Sequence, residues 1–217
     1  MIRAYNELYL NDAQILLANA FDYALNDCRI DVDQFAFIFS SSKITKEYEN
    51  GNPSVVSGMS AQDFVIELMS CVAPHMQFPE VTYSYFRSPA YWTGWALAYY
   101  QWFTAKSFQD IFRRVALSDI ISMYGLYHEM DISIFVEDLN KKYESVVLDT
   151  NLKRIRMARG LSQSQLARLS AVKLRSIQLY EQRVNDIDKA QGHTLYRLAR
   201  VLGCEIEDLL ENPENME

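Results

Sequence analysis

Residues 160–182 read GLSQSQLARLSAVKLRSIQLYEQ, and their pattern predicts two short helices joined by a tight turn. The first of these helices is expected at 163–169. Ser162 can cap it, because a hydroxyl before a helix accepts a hydrogen bond from a main-chain N–H in the first turn. Ala171-Val172 forms the turn, and the second helix is expected at 174–182. The C-terminal part of the chain is therefore expected to be built around this pair of helices.

Apolar stripes on either side of the pair predict three more helices. Their inward positions are Leu152, Ile155 and Ala158, closed by Gly160; Leu195, Leu198, Ala199 and Leu202, ended by Gly203; and Ile206, Leu209 and Leu210. In the helix at 174–182, Ile177 and Tyr180 would face inward. The sequence therefore predicts a five-helix domain over residues 149–217.

This five-helix pattern resembles the phage-repressor helix-turn-helix family, which is also called Cro-like or XRE. The resemblance covers residues 150–211 and none of the first 149. It rests on Gly-Leu-Ser-Gln at 160–163, Leu166-Ala167, a small residue with Val172 at the turn, Ile177 and Glu181 in the third helix, and the Leu-Ala…Leu-Gly close of the fourth at 198–203. Three positions depart from the family pattern: Ala171 and Arg183 stand where Gly is common, and Lys173 stands where a Ser or Thr cap is usual.

The resemblance implies that the third helix reads double-stranded DNA. An α-helix fits the major groove, where its N-terminal side chains reach the base edges. Arg175 can donate two hydrogen bonds to a guanine edge, and Gln178 can pair with an adenine edge. Leu174 or Leu179 could touch thymine methyl groups.

Other residues of this domain are candidates for contacts with the DNA backbone. The resemblance implies that Ser162 and Gln163 present N–H groups and an amide to a phosphate at the start of the second helix. Lys173 and Arg183 would add charge contacts, and Arg168 is a further candidate. Binding of this kind weakens steeply as salt is raised.

Charge is divided unevenly along the chain. The total is −7, but residues 1–149 hold 10 Lys and Arg against 19 Asp and Glu, a net charge of −9. Residues 150–203 hold 11 basic residues and 3 acids, a net charge of +8, and the remaining 14 residues hold 6 acids and no base. Such asymmetry is typical of a nucleic-acid-binding module attached to another domain. The alternative is that the basic residues are merely solvated and that the domain mediates protein contacts.

Residues 1–148 are predicted to form an acidic, aromatic-rich helical domain. Residues 91–103 contain three Trp, three Tyr and one Phe, and a helix that is apolar nearly all round is buried on more than one side. It is expected to be the central helix of the domain or, in part, a partner-binding surface formed by Trp92, Trp95, Tyr99 and Trp102. Other predicted helices are capped by Asp31 (with Phe35, Phe37, Ile38 and Phe39), Ser60 (with Phe64, Leu68, Cys71 and Val72) and Asp131 (with Phe135 and Leu139), and one spans 12–28.

Several function classes find no support in the sequence. The three cysteines form no CxxC pair, so neither a disulfide framework nor a zinc site is expected. The histidines are scattered, and without a phosphate-binding loop or nucleophile motif we expect no enzyme activity, metal or cofactor. The uncharged stretch at 88–105 is too short and too polar for a membrane span. The N-terminus lacks the apolar core of a signal peptide, and we expect a cytoplasmic protein.

The sequence thus predicts an all-α, sequence-specific DNA-binding transcriptional regulator, a repressor that acts as a homodimer. Its N-terminal domain would dimerise, sense a ligand or bind a protein partner. The alternative is an antitoxin, whose N-terminal domain neutralises a cognate toxin while the C-terminal domain represses its own operon.

Overall fold

The computed structural model describes residues 3–70, 72–82, 87–146 and 148–211. Contacts divide the chain into two compact units, Met1–Val146 and Val147–Glu217. The described residues are helical or irregular and contain no strand, so the predicted all-α class is confirmed. None of the helices within these ranges is long and apolar enough to cross a membrane. The functional division at residues 148 and 149 stays a prediction.

The first unit contains ten α-helices within its described residues. They are α1 (Leu10–Asp22), α2 (Val32–Ser41), α3 (Lys43–Glu49), α4 (Pro53–Val56), α5 (Ala61–Ser70), α6 (Pro89–Thr104), α7 (Phe108–Arg114), α8 (Leu117–Ser122), α9 (Tyr124–Tyr127) and α10 (Ile132–Ser145). The predicted caps are confirmed, since the side chains of Asp31, Ser60 and Asp131 accept first-turn N–H bonds. The helix predicted at 12–28 is shorter, because the chain changes at Tyr23–Asp27 to a single π-helical turn.

The aromatic helix α6 lies at the centre of the first unit and packs along α1. Gly94 makes this close approach possible, because a Cβ at this position would lie 2.3 Å from the main-chain oxygen of Leu17. Trp92, Tyr100 and Trp102 project from different sides of α6, and all three are buried. The prediction that this helix is buried on more than one side is confirmed.

Phenylalanine side chains from three helices meet in the core of the first unit. The ring centroid of Phe39 lies 5.2 Å from that of Phe21 and 4.9 Å from that of Phe108. Phe37 lies on α2 as predicted, but its side chain is 74% exposed. Successive residues of a helix are about 100° apart, so the burial of Phe35 and Phe39 turns Phe37 to the opposite side. Val72 is likewise exposed rather than buried, and Cys71 lies outside the described residues.

The second unit contains four α-helices and two short 3-10 helices within its described residues. They are α11 (Asn151–Ala158), α12 (Gln163–Ser170), α13 (Leu174–Glu181) and α14 (Gly192–Leu202), with 3-10 turns at Ile187–Lys189 and Glu207–Leu209. The fifth helix of the prediction is therefore a single 3-10 turn. Leu210 leaves this turn in an extended conformation, and both Leu209 and Leu210 still reach the core.

Candidate nucleic-acid interface

The start of α12 is fixed by two reciprocal hydrogen bonds. The Ser162 hydroxyl accepts a bond from the Gln165 main-chain N–H at 3.1 Å, and the Gln165 side-chain oxygen accepts one from the Ser162 N–H at 2.8 Å. This capping box satisfies two main-chain donors and confirms the predicted cap. The main-chain N–H of Gln163 has no acceptor within the described residues, so it remains available at an exposed helix start.

The turn between α12 and α13 uses a non-glycine residue in a left-handed conformation. Ala171 has φ of +53°, the region that glycine adopts without steric cost. Lys173 then stands at the N-cap of α13, and its side chain makes no capping hydrogen bond. The departures from the family pattern at these two positions therefore leave the helix-turn-helix geometry in place.

The two faces of α13 differ in burial. Ile177 is fully buried in the core of the second unit, and Tyr180 is half-buried. On the other side, Lys173, Leu174 and Arg175 are exposed, whereas Gln178 and Leu179 are half-buried. The side chains of Lys173, Arg175 and Gln178 make no hydrogen bond or ion pair with any described residue, so their donors are free for a ligand.

A buried ion pair joins α11 to α13. The Arg156 guanidinium donates to both carboxylate oxygens of Glu181, and the two side chains are only 9% and 3% exposed. The Arg156 Nη1 also donates to the main-chain oxygen of Leu161 at 2.7 Å. The bonds to Glu181 raise the pKa of Arg156. Sequence reasoning noted Glu181 only as a family position and missed Arg156, because the partners are far apart in the chain.

The same carboxylate holds Gln163, one of the predicted phosphate contacts. The Gln163 side-chain nitrogen donates to Glu181 Oε2 at 2.7 Å. Its amide is therefore turned toward the interior of the domain. A phosphate contact through this amide would have to compete with the bond to Glu181, whereas a contact through the main-chain N–H would not.

Arg183, another predicted phosphate contact, is also engaged within the domain. Its guanidinium donates to the main-chain oxygen of Leu148 and, at 2.8 Å, to Glu211 Oε2. The other oxygen of Glu211 accepts the main-chain N–H of Asn151 at 2.7 Å. Arg183 thus links the loop after α13 to both ends of the unit. No pattern in the sequence around Glu211 indicates that it would pair with Arg183.

The predicted partner-binding residues of α6 are not equally accessible. Trp92 and Trp102 are 9% and 5% exposed, and the Trp102 indole nitrogen donates to the main-chain oxygen of Tyr5 at 2.9 Å. Their burial in the core of their own unit leaves little surface for a partner. Trp95 and Tyr99 are half-buried. For these two residues, partner binding stays a prediction.

Comparison with known families bears on the second unit. The helix-turn-helix family model matches residues 152–209, and no family matches the N-terminal region. Residues 152–209 are thus a helix-turn-helix domain of the XRE type, which supports a role in DNA binding and transcription regulation. No curated protein and no solved structure matches the chain. Over the described residues, no cluster of three or more His, Cys, Asp or Glu could hold a metal ion.

Proposed function

We propose that this protein is a repressor that reads a specific double-stranded DNA site through α13. The observation that supports this most directly is the pair Arg175 and Gln178. They lie three residues apart, on one side of the helix, and neither side chain has a partner among the described residues. Arg175 would pair with a guanine edge and Gln178 with an adenine edge in the major groove.

The residues around this pair complete the proposed DNA contact. Leu174, which is 38% exposed, and the half-buried Leu179 would contact thymine methyl groups. Lys173 would contact a phosphate at the start of α13 with its free ammonium group. Ser162 and the main-chain N–H of Gln163 would bind a second phosphate at the start of α12.

For two of the predicted contacts we propose a different role. The Gln163 amide is bonded to Glu181, and the Arg183 guanidinium is bonded to Glu211. We assign both side chains to fixing the domain: Gln163 orients α12 against α13, and Arg183 secures the loop that follows α13. The DNA contacts then come from side chains that need not break an internal bond first.

Selection from a random pool of duplexes tests this function. The full chain should enrich one sequence, and for a homodimer that sequence should be an inverted repeat with half-site centres about one helical turn apart. Enrichment should vanish at high salt, because phosphate contacts release counterions. A pool that stays random after repeated rounds would contradict sequence-specific binding.

We place the homodimer interface on the surface around Phe37 in the first unit. This side chain is 74% exposed and stands between two clefts, of about 440 Å³ and 350 Å³, both of which it lines. Each cleft also carries one residue of each charge, Lys43 and Glu67 in the first, Asp33 and Arg113 in the second. A protruding ring beside a cleft, with both charges present, suits a second copy of the same surface related by a two-fold axis.

Sedimentation of the full chain tests this interface. Phe37→Ser should convert a dimer to a monomer, whereas Leu8→Ser should leave the dimer intact. Leu8 is a suitable control because it is 85% exposed and outside both clefts. If the two variants associate equally, Phe37 is not part of the dimer interface.

The second candidate function is an antitoxin. The observation that favours it is the net charge of −9 over residues 1–149, which suits a basic protein partner. Each gene adjacent to this one can be expressed with and without the chain. A neighbouring gene whose product stops growth only when the chain is absent would support the antitoxin function. If no neighbouring gene has this effect, only the repressor function is supported.

A further inference from the structure

The first unit contains a cleft of about 310 Å³ whose walls are mainly aromatic. Besides the His128 imidazole, five Tyr and Trp rings line it, those of Tyr91, Trp92, Trp95, Tyr124 and Tyr127. Three of these residues lie on α6 and two on α9. Small-molecule sites are typically concave, rich in aromatic side chains and about 300–1,000 Å³ in volume, so this cleft lies at the lower end of that range. A molecule of one or two rings would fill it.

The aromatic walls are held in place by packing and hydrogen bonds. The Trp92 ring meets Phe135 edge-on at 5.2 Å and Tyr124 at 5.9 Å between centroids. The Tyr127 hydroxyl donates to Asp138 Oδ2 at 2.8 Å, which fixes the tilt of that ring. The walls are therefore ordered before any ligand binds, and preorganisation lowers the cost of binding.

Arg87 gives the cleft a cation. Its guanidinium carbon lies 4.8 Å from the centroid of the Tyr91 ring, and it forms no hydrogen bond or ion pair with any residue that the structure describes. The acids near the cleft are differently placed. Asp138 is paired with Lys141 at 2.7 Å, and Glu129 lies beside His128, 3.6 Å from its Nε2.

His128 adds a further flat ring to the wall of the cleft. Its ring stacks on Tyr124 with centroids 4.4 Å apart and an interplanar angle of 25°. Its Nδ1 lies 2.8 Å from the main-chain oxygen of Tyr124. A carbonyl oxygen only accepts, so Nδ1 carries the proton of this bond. The ring is thus fixed as part of the aromatic wall.

We propose that this cleft binds a small planar aromatic molecule that carries a carboxylate. The ring of the ligand would lie against Trp95 and Tyr124, and its carboxylate would pair with Arg87, whose planar guanidinium matches a carboxylate in two parallel hydrogen bonds. A cationic ligand, which aromatic clefts also bind, would be repelled by Arg87. In the proposed repressor such a molecule is the effector, and only this regulatory role rests on the proposed function.

Calorimetric titration of the full chain with three indole probes tests the proposal without DNA. Indoleacetate should bind at one site per chain, about tenfold more tightly than neutral indole, which corresponds to about 1.4 kcal/mol. Tryptamine, the matching cation, should bind more weakly than indole. No saturable binding of any probe, or tightest binding of tryptamine, would overturn the proposal.

Two variants separate the charge from the ring contacts. Arg87→Gln should reduce the affinity for indoleacetate to that for indole and leave the affinity for indole unchanged. Arg29→Gln, at an exposed arginine outside this cleft and outside both clefts beside Phe37, is the matched control and should change neither affinity. Trp95→Ala should weaken the binding of both indoleacetate and indole, and the variant should keep the helical circular dichroism of the parent chain. If Arg87→Gln still prefers indoleacetate to indole as strongly as the parent chain does, the proposed ligand site is wrong. That result would not affect the proposed DNA-binding function.

Discussion

The Arg156 guanidinium and the Glu181 carboxylate form two hydrogen bonds, at 2.6 Å from Nε and 2.8 Å from Nη2. This pair connects the first helix of the DNA-binding domain to the last residue of α13. Glu181 also accepts the Gln163 amide, so one carboxylate orients all three helices α11, α12 and α13. The position of the helix proposed to read DNA therefore depends on a buried charge pair.

Removal of one member of this pair should destabilise the second unit strongly. Arg156→Met leaves the Glu181 charge buried without its cation, which typically costs about 3–5 kcal/mol. Chemical denaturation followed by circular dichroism should show this loss. All three tryptophans lie between residues 92 and 102, so the transition seen by tryptophan fluorescence, which reports the first unit, should not move.

A double variant provides the control for this prediction. Arg156→Met combined with Glu181→Leu removes both charges, and apolar replacements of a buried pair are often neutral or stabilising. The double variant should therefore be more stable than Arg156→Met alone. Equal stability of the single and double variants would show that the buried charge is not the cause of the loss.

The left-handed residue between α12 and α13 gives a prediction of opposite sign. Ala171 has φ of +53°, a conformation that costs an L-residue about 1–2 kcal/mol and glycine very little. Ala171→Gly should raise the free energy of unfolding of the second unit by up to about 1 kcal/mol, after the greater chain entropy of glycine in the unfolded state is subtracted. Circular dichroism of denaturation should show the gain.

Ala105, which ends α6 with φ of +54°, is the matched position in the first unit. Ala105→Gly should stabilise the first unit and move the transition seen by tryptophan fluorescence. Ala171→Gly should leave that fluorescence transition in place. A loss of stability in both variants would mean that neither alanine is under steric strain.

Local patterns predicted much of the fold. The caps at Ser162, Asp31 and Asp131 involve residues two or three positions apart, and the core positions Leu166 and Ile177 follow helical periodicity. Such features depend only on residues close together in the sequence, so the sequence alone predicts them. The exposed position of Phe37, opposite Phe35, also follows from the helical repeat alone.

The internal partners of Gln163 and Arg183 could not be predicted in this way. Gln163 bonds to Glu181, 18 residues away, and Arg183 bonds to Glu211, 28 residues away. Both pairings exist because tertiary packing brings separate elements together. A basic or amide side chain near a helix start looks the same in sequence whether it faces DNA or an internal carboxylate.

Glu49 should make the stability of the first unit depend on pH. Burial raises the pKa of its carboxyl, and the Phe108 N–H and the Lys46 charge offset this only in part. Because the folded state holds the proton more tightly than the unfolded state, the contribution of Glu49 to stability falls as pH rises from the ordinary carboxyl pKa through the raised value. Glu49→Gln cannot ionise and keeps an oxygen to accept the Phe108 N–H.

Fluorescence-detected denaturation across a series of pH values checks this prediction. The advantage of Glu49→Gln over the parent chain should be absent at low pH and appear as pH rises past the ordinary carboxyl pKa. Glu137→Gln, at an exposed position on α10 outside both clefts beside Phe37, should show no such growth. A difference between Glu49→Gln and the parent that is constant with pH would rule out ionisation as its cause.

The central claim is that α13 reads base sequence through Arg175 and Gln178. The most direct test compares the affinity for the selected operator with that for a scrambled duplex, at one salt concentration, in the parent chain and in Arg175→Ala/Gln178→Ala. Arg200→Ala, an exposed arginine of α14 outside the proposed contacts, serves as control. Each base contact should contribute about 1–3 kcal/mol, so the double variant should bind operator and scrambled duplex almost equally while keeping its helical circular dichroism. A double variant that still prefers the operator as strongly as the parent chain does would contradict the account.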